Sequence, residues 1–200
     1  MLLNRVPNED DSFEWLALMQ HHGAPTRLLD FTWSPYVAAF FALERAVKDA
    51  TIWALFPPKL NNRMIRTMRG SERVEEDPIG PWHEGHYEKY FLPNERSIVV
   101  LGEPQRMNQR LAAQMGTFAM PGVLDTPIEE LVPADAVKKL PLETSRVRKQ
   151  AMQALYNMNI TPYSLFPGVD GLARSLSYEI EFHWAFDPTT MERRAGFFIE

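Results

Sequence analysis

The 200-residue chain contains no cysteine. Disulfides, thiolate nucleophiles and cysteine-held zinc are therefore excluded. It has no run of about 18 apolar residues, so neither a membrane-spanning helix nor a membrane partner is expected. The opening MLLNRVPNEDD has no apolar core of a secretory signal, and the expectation is an intracellular, cytoplasmic protein. There is no G-x-S-x-G elbow, no glycine-rich phosphate loop and no HExxH pair. The most specific signatures of serine hydrolases, P-loop enzymes and zinc peptidases are thus missing. No internal repeat or low-complexity tract appears. Positive charge is also short, at a net −5. That disfavours nucleic acid as a partner. One basic stretch stands out, NNRMIRTMRGSER. Its Arg63, Arg66, Arg69 and Arg73 share a helical face that is either solvated or phosphate-binding.

What is present is the make-up of an ordinary globular protein, 45% hydrophobic and 24% charged. Residues 11 to 20 read as a helix capped by Asp11 or Ser12, with Phe13, Leu16 and Ala17 inward and Gly23 at its C-cap. TRLLDFT follows as a strand. Ser34-Pro35 is a cap followed by a proline suited to a helix's first position. The helix PYVAAFFALERAVKDA should bury Tyr36, Phe40, Leu43 and Val47, thickened by Val37 and Phe41. TIWALFPP is a strand stopped by prolines. Residues 57 to 96 are irregular. RSIVVLGEP and TFAMPG are strands flanking a helix, QRMNQRLAAQMG, that ends at Gly116. Residues 127 to 140 hold a short helix. Residues 143 to 158 form a helix with Val147, Ala151, Ala154 and Leu155 inward, and a last helix begins near Pro167-Gly168. The expected class is α+β: a small mixed or antiparallel sheet with packed helices, in one domain over 1–200, with a helical portion at about 143–186.

The densest polar chemistry lies in QHHGAPTRLLDFT, residues 20 to 32. Arg27 offers a bidentate grip on phosphate or carboxylate. Asp30 can hold Arg27 or a histidine, or accept ligand hydroxyls. Thr32 and Ser34 precede a helix N-terminus, which favours anions. Together these would make a nucleotide or phosphate site. The competing reading is structural, with Arg27 and Asp30 a buried pair and Ser34 only a cap. A metal reading would join His21 or His22 to His83 and His86, but HEGH is not a metal helix and Gly85 weakens any helix there. Arg106, Arg110 and Gln114 point one way at spacings of four and could line a pocket or an exposed face. SLFPGVDGLARSL, with Asp170, reads as architecture. Glu179 and Glu181, two apart, make a poor carboxylate pair.

Three ordered segments resemble the FRG domain family: QHHGAPTRLLDFTWSPYVAAFFAL, ERSIVVLGEPQRMNQRLAAQMGTFAMPG and ITPYSLFPGVDGLARSL. That family is named for a Phe/Tyr-Arg-Gly motif upstream of its His-Gly-x-Pro-Thr-Arg segment. Here Arg5 sits in NRVPN instead, and Arg69-Gly70 lies downstream, so the domain reads as short at its N-terminus. The element order further resembles that of ADP-ribosyltransferases, in which an Arg grips NAD phosphate. By that resemblance His22 and Gln114 are the catalytic candidates. His21, Arg27, Asp30, Thr32, Ser34 and Arg110 are the ligand-binding ones. The implied ligand is a nucleotide, with NAD as substrate rather than cofactor, and no metal. Since Gln is not a base, transfer would rest on positioning and electrostatics. The implied setting is bacterial defence or toxin action. The alternative is a non-catalytic sensor module with a protein or ligand partner.

Overall fold

The structure, a computed structural model, describes residues 6–60, 79–81, 83–105, 107–182, 190 and 192. The arginine-rich stretch 63–73 and Arg106 lie outside the described residues. The class is α+β, as expected. No helix among the described residues is long and apolar enough to cross a membrane. The chain divides into two compact units. One comprises residues 1–33, 53–108 and 116–140, and the other 34–52, 109–115 and 141–200.

The first unit is organised by a three-stranded antiparallel sheet. Its strands are β1 (Leu29–Thr32), β3 (Val99–Gly102) and β4 (Gly116–Pro121), in the order β1-β4-β3. The central strand β4 is buried at all six positions, which is why it reads as a continuous apolar run rather than an alternation. It aligns Asp30 with Phe118 and Thr32 with Gly116. Helix α1 (Ser12–His21) is capped by Asp11, whose carboxylate accepts from Glu14 N. Its Phe13 meets Phe118 edge-on at 6.4 Å. A second apolar cluster collects Val99 and Ala119 with Leu60, Leu131, Val132 and Ala136. Just past β4, Gly122 donates to Ile98 O, and any side chain there would collide with the Arg96 carbonyl.

A π-helical turn, Tyr87–Phe91, buries Tyr90 and Phe91 inside the stretch expected to be irregular. Beyond it, 127 to 140 holds more than the expected helix. α4 (Ile128–Leu131) is followed by a 3-10 turn and then a strand, β5 (Val137–Leu142), which pairs with β2 (Ala50–Leu55) in a two-stranded sheet. VKKLPL escapes the strand pattern because lysine and proline are residues that edge strands carry.

The second unit is helical. Helix α2 (Pro35–Leu43) is capped by Ser34, which accepts from Val37 N at 3.3 Å. It stops before ERAVKDA, and its buried face is Val37, Phe40 and Leu43. Tyr36, Phe41 and Val47 are exposed, against expectation. The shorter helix leaves Val47 beyond its end, and the inward stripe runs one position later than Tyr36. α5 (Thr144–Asn157) supplies Met152 and Leu155, with Met152 taking the inward place expected of exposed Ala154. It ends in a Schellman turn. Asn159 is left-handed at φ 60°, Ile160 N donates to Leu155 O, and Asn159 N donates to Tyr156 O. α6 (Pro162–Leu165) opens with a Thr161–Ser164 capping box, and α7 (Val169–Phe182) contributes Tyr178 to the same core. The short helix α3 (Gln109–Ala113) ends earlier than Gly116, because Met115 takes the left-handed turn at φ 47° and Gly116 already begins β4.

Candidate functional site

His21 closes α1 and His22 is its C-cap, with their rings 5.0 Å apart. Gly23 takes φ +81°, turning the chain out of the helix before Pro25. The next residues are organised by a side chain not among the sequence-based candidates, Gln20. Its amide oxygen accepts from Thr26 Oγ1 at 2.7 Å, while its nitrogen donates to Leu28 O and to Asp30 Oδ2, both at 3.3 Å. Thr26 Oγ1 in turn accepts from Leu28 N. This frame fixes the start of β1 relative to α1 and leaves His22 and Asp30 exposed. Only the spacing from Gln20 to Asp30 across a turn could have hinted at it. That is no recognisable motif.

Arg27 does not pair with Asp30. Its Nη1 donates to Phe91 O at 2.5 Å, and its guanidinium lies 5.7 Å from the Tyr87 ring. It thereby satisfies a carbonyl at the negative end of the π-helical turn. That bond uses one of five N–H donors, and the side chain is half-buried. Thr32 ends β1, half-buried opposite Gly116.

The other three candidates belong to the second unit. Ser34 is buried as the α2 cap. Gln114 donates its side-chain amide to Leu165 O at 3.1 Å. Arg110 is exposed, with its guanidinium 5.0 Å from the Phe166 ring.

His83 and His86 face each other at 4.9 Å, and His86 meets Tyr90 edge-on. Among the described residues no group of three or more metal-ligating side chains is placed to hold an ion. An open cleft of about 280 Å³ lies beside them, lined by Asp10, Asp11, Glu84 and Glu88 with His83 and Tyr87. Four carboxylates there oppose a phosphate.

A family model for the FRG domain matches residues 2–51, a span that takes in α1, β1 and α2. No curated protein and no solved structure matches the chain. Over that span the chain matches the FRG domain family, bearing out the resemblance carried by its HHGAPTRLLDFT segment.

Proposed function

We propose that this chain is an FRG-type domain that binds a nucleotide-like ligand along the α1–β1 segment. One observation carries the reading: the Gln20 frame holds Asp30 in place, and both Asp30 and His22, the cap of α1, are exposed. An exposed carboxylate and an exposed ring on one short segment suit a nucleoside, the carboxylate accepting from sugar hydroxyls and the ring stacking on a base. Arg27, with donors beyond the one given to Phe91, supplies the cation nearest in sequence. The stronger form of the proposal is NAD consumption of the ADP-ribosyltransferase kind. There His22 would position the scissile bond and no side chain need act as base.

A second reading is a non-catalytic interaction or sensor module. It is favoured by the use of Arg27 and Gln114, each of which donates to a backbone carbonyl of its own unit.

Proton NMR of NAD with the chain separates these readings. Line broadening that weakens in Asp30→Asn and His22→Ala supports nucleotide binding. Nicotinamide release lost in His22→Ala adds catalysis. Neither broadening nor release removes NAD and leaves the interaction module.

A further inference from the structure

Phe166 follows α6 and is 8% exposed. Two guanidinium groups lie over its ring. Arg174, from α7, is 4.4 Å from the centroid, and Arg110, from α3, is 5.0 Å away. Phe41 meets the same ring edge-on at 5.9 Å. Among the described residues, neither arginine has a carboxylate partner. Other arginines of this unit do: Arg148 bonds Glu181, and Arg146 lies by Glu143.

The ring attracts each cation, but it does nothing for their mutual repulsion. An anion with acceptors on several sides relieves that repulsion. Guanidinium forks match carboxylate or phosphate two oxygens at a time. A carboxylate fills one fork, whereas a phosphate group has oxygens for two. The surroundings are built before any ligand arrives. Gly171 sits so close to the carbonyls of Phe166 and Pro162 that no side chain fits, which sets the first turn of α7 against the end of α6. α7 is 14 residues long, and its positive end adjoins Phe166 in sequence. Asp170, in that first turn, is the opposing charge.

We infer that Arg110 and Arg174, held on Phe166, form a binding site for a phosphate-bearing anion, a phosphomonoester or diphosphate group. The site lies within the second unit and does not rest on the nucleotide reading of the α1–β1 segment. It also gives SLFPGVDGLARSL a role beyond architecture.

Calorimetric titration of the chain with inorganic pyrophosphate tests this, with thermal melts confirming that each variant folds. Binding is expected to weaken by about tenfold or more in R110Q and in R174Q, and to fall with added salt. R174K keeps charge and most of the packing but loses the fork, so a partial loss is expected. D170N is expected to bind more tightly. K149Q, at an exposed lysine on α5, serves as the control for bulk charge. No pyrophosphate binding, or an equal loss in K149Q, overturns the site. If the glutamine variants do not fold, unchanged affinity in both R174K and D170N overturns it. Amide shifts confined to 109–115 and 166–174 on titration support it, and shifts spread over the chain overturn it.

Discussion

Arg148 donates from Nε to the carbonyl of Leu43, the last residue of α2, at 2.8 Å. Its Nη2 takes the next carbonyl, Glu44 O, at 2.7 Å, and its Nη1 reaches Glu181 at 2.8 Å. One guanidinium thus donates to two carbonyls at the end of a helix, and it places a positive charge at the negative pole. This clamp coincides with the point where α2 stops although ERAVKDA could continue it. Arg148→Ala should lower unfolding stability by about 1.5–3 kcal/mol through its lost charge-assisted bonds, with Ala46 N and the Tyr178 hydroxyl still donating to the two carbonyls. Arg148→Lys should restore only part, because an ammonium cannot span all three acceptors. Urea unfolding of both variants measures this. Equal stability of Arg148→Ala and the parent would show that the remaining donors and water serve these carbonyls as well.

Tyr178 extends the same clamp. Its hydroxyl donates to Glu44 O and lies within hydrogen-bond distance of Glu44 Oε2. Burial first, then the carboxylates of Glu44 and Glu181, push its phenol up to about 12, with Arg148 opposing them. Tyr156 is raised to about 12 as well, by burial first and then by Glu179. An unfolded tyrosine ionises near pH 10. The folded value is the higher one, so the unfolded chain loses its proton first. The stabilising contribution is therefore whole below about pH 10 and is lost as the pH climbs towards 12. Urea midpoints followed up the alkaline limb should fall in the parent and fall less in Tyr178→Phe. That variant should also cost about 0.5–1.5 kcal/mol at neutral pH through its lost hydrogen bond. An alkaline limb identical in both chains would contradict the assignment.

Gly171 makes a sharper steric case. A Cβ there would meet the carbonyl oxygens of Phe166 and Pro162, backbone atoms that cannot swing aside. Gly171→Ala should destabilise the second unit by about 1–3 kcal/mol despite alanine's better helix propensity. Gly168→Ala tests a different constraint, since its φ of +109° disfavours any side chain although the space is open. Thermal melts of the two variants separate collision from backbone strain. A Gly171→Ala more stable than the parent would mean that the turn of α7 can shift freely.

Local rules carried the parts of this fold that are locally determined. Asp11, Ser34 and Thr161 each cap a helix through a side-chain oxygen. Two of these, Asp11 and Ser34, are legible from a polar residue before an apolar helical pattern. The strands 29–32, 99–102 and 116–121 were legible from short apolar runs between turn residues. What could not be read was anything set by a distant partner. The end of α2 coincides with Arg148, about a hundred residues on. The left-handed turn at Met115 has no glycine to announce it. The polarity of QHHGAPTRLLDFT was plain, but its internal order was not. Gln20 looks like one more polar residue at a helix end, and Arg27 looks like a ligand hand until Phe91, 64 positions later, is seen to accept its proton.

Arg27 is the residue on which the structural and ligand-binding readings of the α1–β1 segment meet. Its bond to Phe91 O is charge-assisted, and its guanidinium lies by the Tyr87 ring. Losing such a hydrogen bond costs about 1.5–3 kcal/mol. Arg27→Ala should therefore unfold at a lower urea midpoint than the parent, with the slope unchanged if the transition remains two-state. Arg27→Lys can still reach one carbonyl, so its stability should recover more than its affinity for a phosphate-bearing ligand does. The pair of variants thus splits the two roles. If Arg27→Lys regains both stability and NAD line broadening in full, the planar fork is not being used, and the segment binds its ligand without it. If stability returns and broadening does not, the donors left over after Phe91 are the ones that face the ligand.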